Sequence, residues 1–524
     1  MRSYFNGAPT VTPVQDALRP STSHDCVVQA LGGNMTHEGH GKVLIIVQNL
    51  PVPFDRRVWL ECQTLRAAGY QVSVICPKGP GDPGFETLDG IHLYKYPPAP
   101  QAEGVLGYSL EFVWSWLCTA GLSVRVLRRH GFDVIQACNP PDTYWALALP
   151  YKLLRRRFVF DQHDLCPEVY VSRFGAGSRP ALERLLRWLE RATYRVADHV
   201  ISTNESYKRI AMVRGLRQAC DVTVVRSGPD TTRMKREVPE PTLSRGHPFL
   251  AVYLGVMGPQ DGVDGLVRAW SVLVHELGRD DCHLALLGFG DCLNELQTLS
   301  VELGIERHVT FTGRADASVI SRYLSTADLG VCPDPHSPLN NVSTMNKTME
   351  YMAFGLPVVS FDLPETAVSA GDAAVYVPGN DPRDLARAVA QLLDDPPLRA
   401  ELGRRGRQRA VQALDWCVQA PNYVAVFDQL VNAGKRDLVV VADPAAPGAF
   451  RAFLERRKAS RSVVIDLVAA GVPAQRTDWL ERIPNQAGPG GLETLPQRPD
   501  RLQIPNHAGP GGQKTLPQRE GAGG

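Results

Sequence analysis

The run Lys42-Val43-Leu44-Ile45-Ile46-Val47 carries no polar side chain after its lysine, so a strand built from it has to be covered on both faces. A loop at 49–54 follows, then a helical pattern at 55–69 closed by Gly69, then a second apolar run at 72–76. Doubly covered strands joined through helices belong to parallel, doubly wound sheets. The same spacing predicts further strands at 134–138, 158–161, 199–203 and 223–226. A second series opens after the polar, Pro-containing stretch 237–248, with strands at 250–254, 283–287, 309–312, 330–332 and 358–361. Helices are expected between them at 263–277 and around 294–303. Two successive doubly wound α/β domains place a ligand in the cleft between them, outside the carboxyl ends of the strands.

The ends of the chain read differently. Residues 1–41 are rich in Pro, Thr, Ser, Gly and His without periodicity, and a disordered extension is expected. From 436 onward the pattern degrades into a Pro/Gly-rich tail with a 21-residue repeat, in which Ile483-Pro484-Asn485 recurs as Ile504-Pro505-Asn506. Two such repeats cannot bury a core, so 436–524 is expected to be poorly ordered. The ordered chain then divides into a first domain at 42–236 and a second at 249–415.

A net charge of +1 argues against nucleic acid as the main partner. The eleven cysteines form no CxxC pair, which points to free thiols in a reducing cytosol rather than disulfides or zinc. The N-terminus lacks a basic region followed by an apolar one, and a cytoplasmic protein is expected. The segment 105–127 contains Trp114, Trp116, Leu117 and Leu122 but is interrupted by Glu111 and Arg125. It suits a helix packed on the domain or an interfacial membrane helix better than a membrane span.

The most informative motif is Asn346-Lys347-Thr348-Met349-Glu350-Tyr351-Met352-Ala353-Phe354-Gly355-Leu356-Pro357. It reads as a helix capped by Ser343 or Thr344 at one end and Gly355 at the other, stopped by Pro357 before a buried strand. Lys347 in the first turn and Glu350 three residues on share nearly one face. A cation with free amides suits a phosphate, and a carboxylate further down the axis suits a sugar hydroxyl, as in a nucleoside diphosphate. An ordinary core helix explains the pattern as well.

Four further groups follow strands. Asp161-Gln162-His163-Asp164 sets an imidazole with flanking acids at a strand end, where it can touch a sugar. Either Asp161 or Asp164 can fix the tautomer, or both acids can simply cap the next helix. Asp142, after Cys138-Asn139-Pro140-Pro141, falls in a first helical turn and is a capping or an acceptor-binding residue. Gly258 and Gln260 lie in a glycine-rich turn open to a phosphate, with Gly288 in a weaker one, and neither turn matches a Walker A loop. Asp55, Arg56 and Arg57 can reach phosphates or an acceptor across the cleft, or form surface pairs. Arg184, Arg187, Arg191 and Arg195 line one helix face; a solvated face and docking on an anionic membrane are both open readings.

Together these segments resemble glycosyltransferase family 4, the retaining nucleotide-sugar transferases of GT-B fold, from about Lys42 to Leu430. The resemblance includes the His163 loop, Gly288-Phe289-Gly290, Val309–Gly313, Ala327–Val331 and Lys347–Val359, and is greatest to bacterial enzymes building polysaccharides and glycolipids. It implies a GT-B pair of Rossmann-like domains facing across a cleft, with 416–435 crossing back onto the first domain. By resemblance His163 and Asp164 are catalytic and Glu350 holds the ribose. Lys347, Ser343, Thr344, Gln260, Gly258, Arg226 and Gly288 surround the donor, and Asp55, Arg56 and Asp142 the acceptor. Val342 stands where many relatives carry a first glutamate, and Val256 and Asp261 near where they carry Arg and Lys. The expected activity is metal- and cofactor-independent transfer of a hexosyl group from a UDP- or GDP-sugar to a glycan or lipid-linked acceptor. Peripheral contact with the inner membrane face is a further expectation. The alternatives are a catalytically silent GT-B protein that binds nucleotide sugar or a partner enzyme, and a GT-B sugar-nucleotide epimerase.

Overall fold

A computed structural model describes residues 41–98, 104–175 and 177–433; the expectations for 1–40 and 436–524 fall outside them. Two parallel sheets organise the chain. In the first, β1 (Lys42–Ile46), β2 (Gln71–Pro77), β3 (Phe85–Leu88), β4 (Ile91–Tyr96), β5 (Val134–Cys138), β6 (Arg157–Gln162), β7 (His199–Ser202) and β8 (Val222–Val224) run in the order β3-β4-β2-β1-β5-β6-β7-β8. Only β3 is antiparallel to its neighbour. In the second, β9 (Phe249–Leu254), β10 (Cys282–Leu287), β11 (Val309–Gly313), β12 (Leu329–Cys332), β13 (Val358–Phe361) and β14 (Ala374–Val377) run in the order β11-β10-β9-β12-β13-β14. Strand order reverses beside β1 and beside β9, so both crevices open at the carboxyl ends of those strands.

Each sheet is buried on both faces, as the apolar runs require. Val43 and Ile45 point into one cluster and Leu44 and Ile46 into another. The second sheet splits in the same way between Ala251 with Leu284 and Val252 with Ala285. The helix Trp416–Ala433 leaves the second domain and lies on the first, where Trp416, Tyr423 and Phe427 are buried against the helix Arg56–Ala67 and β2. Burying a large apolar side chain is worth about 1.5–3 kcal/mol, so three such anchors hold the returning helix firmly.

Some expectations shift. The β3–β4 hairpin turns at Asp89-Gly90, both at positive φ, and was not foreseen. The helix at 263–277 is α-helical over Val263–Ser271 and continues as a π turn, Val272–Glu276. Nine described cysteines are free thiols, but Cys417 is disulfide-bonded, contrary to the expectation of thiols alone. The predicted 105–127 helix spans Gly104–Arg129. Among the described residues no helix is long and apolar enough to cross a membrane.

Candidate active site

The first domain contributes β5 and β6. Past the end of β6, His163 is half-buried, with Nε2 2.8 Å from Asp161 Oδ2 and 3.1 Å from Arg57 Nε. Arg57 Nη2 donates to Asp161 Oδ1 at 3.1 Å, and Nη1 to Val225 O and Ser227 Oγ, both at 3.0 Å. Arg57 therefore does not reach across the cleft; it is folded in beneath the histidine. Glu61, one turn on and fully buried, lies 2.9 Å from Arg57 Nε. Gln136 Nε2 donates to Glu61 Oε2 at 2.8 Å and to Asp161 Oδ2 at 2.9 Å.

Two carboxylates, one guanidinium and one imidazole thus share a largely buried pocket. Burial alone would raise Asp161, but the Arg57 and His163 charges outweigh it and hold the carboxyl far below its usual range. Burial opposes a charged imidazole too, yet Asp161 prevails and His163 sits above its ordinary value. Glu61 goes the other way: burial and the Asp161 charge push it up, so it holds its proton. Of the two acids that could set the tautomer, Asp161 is the one bonded to the ring. Asp164 is anchored through its backbone, its amide donating to Asn139 Oδ1 and its carbonyl accepting from Asn139 Nδ2.

Asp142 departs from expectation. The helix begins later, at Tyr144, and the Asp142 carboxylate is 4% exposed and accepts from Asn139 Nδ2 at 3.0 Å. It braces the asparagine that holds the His163 loop instead of offering a surface to an acceptor. Asp55 caps the helix Arg56–Ala67 by accepting from Val58 N at 3.1 Å.

The second domain contributes the helix Asn346–Ala353, whose C-cap is Phe354 and not Gly355; the glycine follows it at positive φ, ahead of Pro357. Its N-cap is Met345, with no side-chain cap, so neither Ser343 nor Thr344 caps it. Both instead meet the first domain: Thr344 Oγ1 accepts from Asn204 Nδ2 at 2.9 Å, and Ser343 Oγ lies 3.1 Å from Tyr207 OH. Beside them Val342 packs with Leu165, Tyr207 and Leu339 in a small apolar cluster between the domains. An apolar residue at that position is therefore accounted for by the seam.

Lys347 Nζ pairs with Asp334 Oδ1 at 2.6 Å, both side chains buried, and lies 5.2 Å from the Tyr253 ring centre. Burial would lower the lysine, but Asp334 and then Asp261 outweigh it and hold the charge. Asp334 Oδ2 is buried without a hydrogen-bond partner among the described residues, and burial pushes Asp261 up to about 6. Glu350 faces the first domain: Arg56 Nη2 donates to its Oε1 at 2.7 Å. The residue assigned to the ribose and one assigned to the acceptor side are thus joined across the cleft.

The glycine-rich turns serve each other. A Cβ on Gly288 would stand 1.8 Å from Gly255 O, and Met257 N donates to Phe289 O at 2.9 Å. The amide of Gly258 is taken by Asp261 Oδ2 at 2.9 Å, and the Gln260 carbonyl by Asn340 Nδ2 at 2.9 Å. These turns therefore need glycine to interlock, and the Gly258 amide is engaged. Arg314 lies over both Phe54 and Phe289, at 5.1 and 4.5 Å. Arg226 approaches Glu365 only to 4.0 Å, with Nη1 buried and unbonded among the described residues.

Cys138, Asp161 and His163 offer ligand atoms within 4.8 Å of one another, a grouping that sequence spacing alone does not reveal. The Arg57 guanidinium already supplies the cation at Asp161 and His163, so the trio reads as part of the ion network.

Residues 55–238 match the description Glycosyltransferase Family 4, and residues 248–395 match Glycosyl transferases group 1. The two matches meet the two sheets and the facing sites just described. The chain belongs to glycosyltransferase family 4. Among its relatives is a GDP-mannose-dependent alpha-(1-6)-phosphatidylinositol monomannoside mannosyltransferase of Mycolicibacterium smegmatis, 31% identical over 32% of this chain and 44% of that protein. The match thus spans under half of that relative's length. A glycogen synthase of Mycobacterium tuberculosis is 26% identical over 69% of this chain and 87% of its own. Among solved structures, a sucrose-phosphate synthase of Thermosynechococcus elongatus superposes with a TM-score of 0.60 at 21% identity, over 75% of this chain and all of that one. Anabaena HepE in complex with UDP-glucose gives 0.56 at 17% identity, over 75% and 99%. This family 4 glycosyltransferase therefore has the GT-B fold. Glu61, Gln136 and Asp334 were the site residues that sequence reasoning did not pick out, and Arg57 was expected at the cleft rather than beneath His163.

Proposed function

We propose that this glycosyltransferase moves a sugar, with retention, from a UDP- or GDP-sugar to a glycan or lipid-linked acceptor and needs no metal. The observation that carries the reading is the facing pair of sites: Lys347 and Glu350 on one helix, and the His163 network opposite, joined by Arg56 and Glu350. In this reading Glu350 takes the ribose hydroxyls once Arg56 gives way. Lys347, held charged at the amino end of its helix, meets the diphosphate as the bond between the anomeric carbon and phosphate oxygen breaks. The acceptor oxygen bonds to the anomeric carbon from the same face, and its proton passes to the leaving phosphate. His163, with Nε2 held by Asp161, presents its other ring nitrogen to the sugar. Solved HepE with UDP-glucose supports a nucleotide-sugar donor by likeness of fold.

Release of UDP or GDP in the presence of candidate acceptors tests the reading. Turnover should be lost in Glu350→Ala and His163→Ala. Nucleotide binding without turnover on any acceptor would favour the silent protein, and conversion of the donor sugar without acceptor the epimerase.

A cytoplasmic enzyme that docks on an anionic membrane is the location we infer. The helix Gly104–Arg129 buries its small polar residues Ser115, Thr119 and Ser123 while Val113 and Leu117 are 56% and 58% exposed. A further apolar patch at Leu149 and Leu153 sits on the helix whose Trp145 packs edge-on to Trp188, beside exposed Arg184 and Arg191. Exposed apolar and aromatic residues next to arginines suit an interface with acidic lipid. Sedimentation with phosphatidylglycerol vesicles should carry the protein down, and Leu117→Glu with Leu153→Glu should leave it in solution.

A further inference from the structure

Behind the helix Asn346–Ala353, away from Glu350, lies a cavity of about 490 Å³ lined by Arg236, Arg399, Arg404 and Arg407 with a single carboxylate, Asp328. Its walls come from four places: the connection between the domains (Arg236), the residues just before β12 and β13 (Asp328 and Pro357), the end of the Lys347 helix (Phe354 and Gly355), and the helix Pro396–Arg409.

The charges in it do not balance. Arg404 is matched by Glu401, through bonds of 2.9 and 2.8 Å. Among the described residues Arg236, Arg399 and Arg407 bond instead to neutral carbonyls: Arg236 Nη2 to Ala327 O at 2.6 Å, Arg399 Nη1 to Leu392 O at 3.0 Å, and Arg407 to Met234 O and Thr231 O at 2.8 and 2.9 Å. Asp328 is shared between Arg236 and Arg399, and one of its oxygens already accepts from Leu250 N at 2.8 Å. Asp415 acts on Arg407 as well, and Glu401 is shared with Arg405, so the four guanidiniums still outnumber the carboxylates around them. Burial lowers Arg236 and Arg407 from their ordinary values, the mark of cations short of counter-charge.

We propose that this cavity binds a small phosphorylated anion, a phosphomonoester or diphosphate, at a site separate from the sugar-donor cleft. Guanidinium groups present paired donors that match phosphate oxygens. The volume is that of a small-molecule pocket and exceeds what orthophosphate alone would fill. The site also touches the catalytic half of the molecule: Arg407 bonds Ala353 O, the last carbonyl of the Lys347 helix, as well as the connection between domains. The inference stands on this cavity alone and does not depend on which sugar donor the cleft takes.

The test is titration of the full chain with inorganic pyrophosphate, at ionic strength matched with sodium chloride and with UDP or GDP already saturating. Saturable binding that persists beside the nucleotide, and weakens at least about tenfold in Arg236→Gln and in Arg404→Glu, is expected. Arg404 is on the surface, with its side chain 63% exposed, so its charge reversal still decides the matter if Arg236→Gln fails to fold. Binding displaced by the nucleotide, reproduced by chloride, or unchanged in Arg404→Glu overturns the proposal.

Discussion

Tyr423 donates its hydroxyl to Gln136 Oε1 across 2.6 Å, and Gln136 in turn holds Glu61 and Asp161 through its amide. A residue on the helix that returns from the second domain is thereby three hydrogen bonds from His163, by way of Gln136 and Asp161. The packing of that helix and the posture of the imidazole form one connected unit.

Tyr423→Phe leaves the Gln136 carbonyl buried and unpaired, which costs about 1–3 kcal/mol and should appear as a lower denaturant midpoint. Because Gln136 is then free to turn, we expect kcat to fall several-fold with donor KM little changed. Arg57→Gln, which removes the charge touching both Asp161 and His163, should lower kcat more steeply and move the pH-rate profile. Arg57→Lys should restore part of it. A purely structural role would leave the pH profile in place.

Glu61 gives stability an unusual sign. Burial pushes it up from 4.5 to about 8, so the folded chain keeps a proton that the unfolded chain releases above about 4.5. Its contribution is complete below that value and is lost as pH rises through about 8. Glu61→Gln, which keeps the shape and a proton-bearing group, should remove this component. The melting temperature of the wild type should fall relative to the variant across that window, and parallel curves would refute the assignment.

The two sheets were readable because strands covered on both faces are written as unbroken apolar runs, as at Val43–Val47. The β3–β4 hairpin was missed although Asp89-Gly90 is a two-residue hairpin turn; its strands, with Glu86, Thr87 and His92, lack the apolar continuity that marked the others. In the site, Lys347, Glu350 and His163 stood out through their places at helix starts and strand ends. Glu61 and Gln136 did not, and Arg57 stood out only as a residue reaching into the cleft, because one helix and one strand bring all three under His163 only when folded. Gln136 still left a trace, as the lone amide in the apolar strand Val134–Cys138. Asp142 misled because a turn precedes its helix, so a capping pattern proved to be a brace for Asn139.

Lys347→Met strands Asp334 as a buried, uncompensated charge and should destabilise by about 3–5 kcal/mol, measured by chemical unfolding. Adding Asp334→Asn should recover most of that stability while leaving affinity for a nucleoside diphosphate low. Recovery of both would mean that the lysine serves only its partner.

Gly288→Ala drives a methyl into Gly255 O, and the two turns must separate. A loss of about 1–3 kcal/mol is expected, together with weaker nucleotide binding in a titration. Gly265→Ala is the control: nothing lies within 4 Å of its new Cβ, and in its helix alanine should stabilise by about 1 kcal/mol.

The pair between Arg56 and Glu350 joins an arginine 63% exposed to a glutamate only 12% exposed. On the proposed reading, a ribose entering this cleft would meet an occupied seat, and its arrival would be an exchange of partners. The evicted guanidinium would stay at the amino end of the helix Arg56–Ala67, where the first domain faces the second, so a donor that settles would also deliver a freed positive charge to the opposite wall. Acceptors that carry phosphate would find that charge only after the donor is seated, which on this reading would give the two substrates an order of entry without any moving lid.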